Sequence, residues 1–88
     1  MNFKDIKFSR ENRFSIGVEE ESGKYFISFP VTAVGFADYE EYYEISDEEF
    51  QKFSADLDSA LELLNLCRER KEDQRLLVVP PKVRGVPC

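Results

Sequence analysis

Two stretches of strict alternation, close together in the chain, restrict the fold more than any other feature. Phe14, Ile16 and Val18 fall on one side of an extended backbone, with Ser15, Gly17 and Glu19 on the other. Tyr25, Ile27, Phe29 and Val31 repeat the pattern after Glu21-Ser22-Gly23-Lys24. A two-residue Ser22-Gly23 turn predicts a β-hairpin over 13–31 that pairs Val18 with Ile27, Ile16 with Phe29 and Phe14 with Val31. All three apolar pairs then share one face, Glu21 meets Lys24, and a slip of one residue would scatter the pairs over both faces. In that register Phe26 lies opposite Glu19 on the face turned away from the core.

The rest of the chain supplies partners for this hairpin. Pro30 and Thr32-Ala-Val-Gly-Phe36 suggest an edge or a bend. A third strand follows over 38–45, with Tyr39, Glu41, Tyr43 and Ile45 on one face and Asp38, Glu40, Tyr42 and Glu44 on the other. Ser46-Asp-Glu-Glu49 is a capping box, flanked by Ile45 and Phe50 at the staple positions, so a helix starts at Ser46. Its first-turn acids also complement the helix dipole. Apolar residues at 50, 53, 57, 60/61, 64 and 67 continue at helical spacing. One unbroken helix to residue 72 would be roughly 39 Å long, whereas strands of eight residues span about 26 Å. A break near Ser54–Asp58 is therefore expected, giving helices over 46–54 and 56–72. Arg75-Leu-Leu-Val-Val79 reads as a last strand stopped by Pro80-Pro81, and residues 80–88 as a loose tail. Phe3, Ile6 and Phe8 can seed an edge strand. The expected architecture is a single α+β domain over 1–88, a small mostly antiparallel sheet packed by two helices.

Composition narrows the chemistry. At 88 residues there is room for one modest core. The net charge of −6 is uneven: residues 14–63 carry thirteen acids against Lys24 and Lys52, whereas both ends are basic. Histidine is absent, which removes the usual general base and the commonest zinc ligand. Cys67 and Cys88 form no CxxC pair, and Cys67 sits at a helical core position. Together with an N-terminus lacking a signal-like apolar run, this points to the cytoplasm. No P-loop, GxGxxG or calcium-loop pattern occurs, so neither cofactor, metal nor enzymatic activity is expected.

Three local motifs need weighing. Asp58-Ser59-Ala60-Leu61 resembles the Asp-Ser-Leu attachment site of acyl carrier proteins, which would make Ser59 a modified residue. However, Ala60 replaces the leucine, and carriers are helical bundles whereas this chain begins with strands. Arg68-Glu-Arg-Lys71 is better explained by a helix C-terminus, with Glu69, Glu72 and Asp73 diluting its charge, than by nucleic-acid binding. The adjacent carboxylates of Glu19-Glu20-Glu21 and Glu40-Glu41 read as solvated surface. The remaining feature is Asp38–Glu49, with seven carboxylates, three tyrosines and no basic residue. Such a surface repels nucleic acid and anionic membrane and attracts a basic protein face. Glu19, Phe26, Asp38, Glu40, Tyr42 and Glu44 are the expected partner-binding residues, unless Phe26 merely covers Gly17.

Tyr42-Tyr-Glu-Ile-Ser46 entering a capped helix, then Cys67-Arg-Glu-Arg-Lys-Glu-Asp73 before Leu76-Leu77, then Arg84-Gly-Val-Pro87, resembles small bacterial immunity proteins of polymorphic toxin systems such as contact-dependent growth inhibition. That resemblance implies a non-enzymatic cytoplasmic inhibitor that binds one cognate toxin domain, basic nucleases being among such toxins, and covers its active site. An acidic regulatory or adaptor domain for another basic protein is the alternative. The capping box yields a direct test: Ser46→Ala should cost about 1 kcal/mol in denaturant unfolding, and a change below a few tenths would show that Ser46 is not the cap.

Overall fold

The computed structural model describes residues 1–32, 38–81 and 84–87. Four strands form an antiparallel meander in chain order: β1 (Phe3–Ser9), β2 (Phe14–Glu19), β3 (Tyr25–Thr32) and β4 (Tyr39–Ile45). A short β5 (Val86–Pro87) adds to β3 beyond the start of β2. Two helices, α1 (Asp47–Ala55) and α2 (Leu61–Arg68), pack on one face, and the protein is an α+β domain. Pro30 falls in the gap between the β2 and β5 pairings of β3, where a missing N–H interrupts no ladder. The bend anticipated over Thr32–Phe36 lies, past Thr32, outside the described residues.

The face assignment of the hairpin holds, but its register differs by two residues. Val18 pairs with Tyr25, Ile16 with Ile27 and Gly17 with Phe26. The loop is Glu20–Gly23, closed by the Glu19 N–H on the Lys24 carbonyl and the Gly23 N–H on the Glu19 carbonyl, both at 2.8 Å. Two causes are visible. The Glu19 carboxylate accepts the N–H groups of Glu21 at 3.0 Å and Ser22 at 2.8 Å, which ties the wider loop to the end of β2. Gly23 supplies the left-handed φ of 74° that returns the chain to β3. A two-residue shift leaves every side chain on its face, so Phe26 exchanges Glu19 for Gly17 as its cross-strand neighbour.

The covered face holds the core. Phe14, Ile16, Ile27, Phe29, Val31, Tyr43 and Ile45 of the sheet pack with Phe50, Phe53, Ala60, Leu63, Leu64 and Cys67 of the helical segment. Ser46 caps α1 as expected: its hydroxyl accepts the Glu49 N–H at 3.1 Å while Glu49 Oε1 accepts the Ser46 N–H at 2.8 Å. The expected break is at Asp56, followed by a 3-10 turn over Leu57–Ala60. α2 ends earlier than residue 72, because Arg70 adopts a left-handed φ of 61° and the Lys71 N–H returns to the Leu66 carbonyl at 2.9 Å.

The strand expected over 75–79 is not formed. Asp73–Arg75 is a 3-10 turn, Leu76 makes a single bridge to Tyr43, and the Leu77 N–H reaches the Tyr42 carbonyl at 2.9 Å. Beyond that point the described residues leave the apolar run uncovered, and Val79 is 91% exposed. The segment expected to be loose is instead tied down at Arg84–Pro87, for reasons given below; residues 82, 83 and 88 lie outside the described set.

On the opposite face the sheet curls over Gly17. A Cβ there would lie 2.0 Å from the Lys4 carbonyl oxygen and 2.8 Å from Cζ of Phe26. Backbone cannot yield as a flexible side chain can, so Gly17→Ala should destabilise by about 3 kcal/mol. A denaturation midpoint close to wild type would show that β1 can move away.

Candidate functional site

The face without helices begins as a row of small and aromatic residues. Register places Phe3, Asp5 and Phe8 of β1 beside Glu19, Gly17 and Ser15 of β2, then Phe26 and Ser28 of β3, then Glu44 and Tyr42 of β4. Because Gly17 has no side chain, Phe26 lies flat into the sheet and is 0% exposed. Phe3 and Tyr42 close over it from opposite edges, stacked on each other at 3.8 Å between ring centroids. Each meets Phe26 edge-on, at 5.4 and 5.1 Å. This second, aromatic cluster is ringed by Asp5, Glu40 and Glu44. Burial first, and then the Glu40 charge and hydrogen bond with a contribution from Asp5, push the Tyr42 hydroxyl up to about 12. It therefore stays protonated at any physiological pH.

Of the six residues expected to bind a partner, four keep exposure to solvent. Asp38 and Glu40 are exposed, and Tyr42 and Glu44 are half-buried, with Glu44 3.7 Å from the Lys24 ammonium. Phe26 and Glu19 are corrections. Phe26 is roofed by Phe3 and Tyr42 rather than presented to solvent. Glu19 is buried and serves the backbone, accepting N–H groups from Asn2 as well as Glu21 and Ser22. Those bonds hold its carboxyl down at about 2. Asp5 and Phe8, not singled out from the sequence, join the same face, and Phe8 is 59% exposed. Gly17 between Ile16 and Val18 was the available signal, since a mid-strand glycine marks a close approach.

A second cluster lies on the helix-covered side. Arg84 forks onto Glu41, with Nε to Oε2 at 3.0 Å and Nη2 to Oε1 at 2.8 Å, and its Nη1 reaches Asp73 Oδ2 at 2.7 Å. The Tyr43 hydroxyl donates to Glu41 Oε1 at 2.7 Å and the Tyr39 hydroxyl to Oε2 at 3.0 Å. Burial works to raise the Glu41 carboxyl, but Arg84, Tyr43 and Tyr39 outweigh it and leave it below the usual range. Burial pushes the Tyr43 hydroxyl well up.

The other motifs have structural employment. Arg68 Nη2 donates to the Asn12 carbonyl at 2.7 Å and its guanidinium lies 5.5 Å over the Phe29 ring, while Arg70 donates to the Gly85 carbonyl at 2.9 Å. Both guanidiniums are thus engaged by backbone carbonyls of the fold, with Arg70 still exposed. Ser59 donates to the Asp56 carbonyl at 2.6 Å from a 3-10 turn, in a sheet-based fold unlike the helical bundle of a carrier. An open groove of about 370 Å³ lies between the helices, lined by Lys52, Phe53, Glu62, Leu63 and the Glu49–Arg75–Glu72 ion pairs. Burial raises the Cys67 thiol to about 12, so it is inert packing. Among the described residues no group of three or more His, Cys, Asp or Glu side chains is placed to hold a metal ion, and no helix is long and apolar enough to cross a membrane.

Comparison with protein-family models, with curated proteins and with solved structures returns no match.

The Glu19 carboxyl predicts an acid limb. Its folded value of about 2 lies below the ordinary value of 4.5, so its stabilisation is complete above pH 4.5 and is lost as the pH falls toward 2. Glu41, also depressed, acts in the same direction. In Glu19→Gln the loss of stability between pH 5 and 2 should be shallower than in the wild type, measured by urea unfolding across the range. Parallel curves would assign the acid limb elsewhere.

Proposed function

We propose that the protein is a non-enzymatic protein-binding inhibitor that docks the bare face of its sheet onto a basic protein surface, and that its partner is a toxin domain whose active site it covers. The observation that carries this reading is the placement of Asp5, Glu40 and Glu44 around the Phe3–Tyr42 stack on a face that, among the described residues, no helix covers. Rigid aromatics supply contact area at small entropic cost, and the surrounding carboxylates steer a cationic partner and set its orientation. Asp38, Glu40, Tyr42 and Glu44 are the contact residues, joined by Asp5 and Phe8. A nuclease toxin must bind phosphate, and carboxylates presented on this face compete for the same cationic groups. The resemblance to bacterial immunity proteins adds the toxin as the partner; an adaptor would use the same face on a different basic protein.

The test is protection. Co-expression with any toxin-like domain found encoded beside its gene should restore growth, and the two proteins should form a complex whose association slows with added salt. The double variant Glu40→Lys/Glu44→Lys should associate about tenfold more slowly at low salt while melting as the wild type does. Unchanged association would remove the steering role. A complex without protection would replace the inhibitor by the adaptor, and no complex would refute the reading as a whole.

A further inference from the structure

We propose that Glu41, Asp73, Tyr39 and Tyr43 form a recognition site for an arginine carried on an extended peptide, and that the chain's own Arg84–Pro87 fills this site in cis. The segment is held in the manner of a bound ligand. Its arginine enters a carboxylate fork, and its backbone is read separately: the Gly85 N–H donates to the Tyr39 hydroxyl at 3.3 Å and the Gly85 carbonyl accepts from Arg70 at 2.9 Å. Val86 and Pro87 then add as a strand to Thr32 and Val31 of β3. Main-chain pairing combined with a side-chain pocket is how sheet edges bind peptides.

The pocket is built without help from its occupant. Tyr39 and Tyr43 hold both oxygens of Glu41 from within β4. Tyr43 is fixed in turn by the Cys67 carbonyl at 3.2 Å and by stacking on Phe29 at 5.6 Å. Removing Arg84 therefore leaves an ordered, buried carboxylate with no cation, which a second guanidinium can satisfy. A lysine cannot, because a single ammonium does not span both carboxylate oxygens and Asp73 at once. Gly85 is buried, so the residue after the arginine must be small. The ligand class is an extended arginine-glycine peptide whose next two residues pair with the edge of β3. The cis segment makes the resting protein self-blocked, since a competitor sees only the fraction in which Arg84 is out. The site lies on the helix-covered side and does not depend on what the bare face binds.

The experiment titrates isotope-labelled full-length protein with the peptide Val-Arg-Gly-Val-Pro, the sequence of residues 83–87, and with its Arg-to-Lys counterpart. In Arg84→Ala the arginine peptide should shift the Tyr39 and Tyr43 amide signals and raise the unfolding temperature. The lysine peptide should bind about tenfold more weakly, and the wild type should bind the arginine peptide at least about tenfold more weakly than the variant does. A folded Arg84→Ala that ignores the arginine peptide at millimolar concentration overturns the proposal, as does equal binding of the two peptides or equal binding by variant and wild type. Should Arg84→Ala not fold, Arg84→Lys keeps a cation without the fork. It must then take the arginine peptide more tightly than the wild type, and failure to do so is equally decisive.

Discussion

The hydroxyl of Tyr43 is the point on which the rest of the molecule depends. Tyr43 is completely buried, and a buried hydroxyl needs partners. It finds them in Glu41 beside it on β4, in the Cys67 carbonyl near the end of α2 and in Arg84 at 3.1 Å. One atom thus ties the sheet to the second helix and to the last segment of the chain. Glu41 has no outlet to water on that face, so its charge demands the arginine. The arginine in turn brings Gly85–Pro87 into register with β3. An apolar residue at 43 would pack the core equally well and would leave this chain of dependencies without its centre.

The two faces of the sheet solve different problems. One is sealed by amphipathic helices and carries the aliphatic core. The other has, among the described residues, no layer above it and seals itself, by curling until rings from the first and fourth strands touch over a glycine. That arrangement limits how much apolar surface the bare face shows, while its carboxylates remain at the rim. A face so built is stable when free and still shows aromatic edges and negative charge at its surface.

Much of the architecture was legible because it follows from local rules. The alternation of β2 and β3 assigned Phe14, Ile16, Ile27 and Phe29 to the core, and an error of two residues in register left that assignment intact. Ser46 and Glu49 announced the start of α1, and the spacing through Phe50, Phe53, Leu64 and Cys67 announced the buried stripe. The site was less legible. Phe26 reads as an exposed aromatic until one knows that Phe3, more than twenty positions away in sequence, arrives above it. Glu19 reads as one more surface acid until the loop closes and three N–H groups converge on it.

The residues of this chain by themselves determine its periodicity, its capped helix, its α+β class and the uneven distribution of its charge, because each depends on neighbours within a few positions. Which acids serve the fold and which stand in solvent was settled by long-range closure. Glu41 and Glu40 are adjacent and chemically alike, yet one is locked in a buried ion pair with a residue 43 positions on, and the other stands in solvent. Strand alternation separates them to opposite faces, but only the packing of distant segments decides which face is covered.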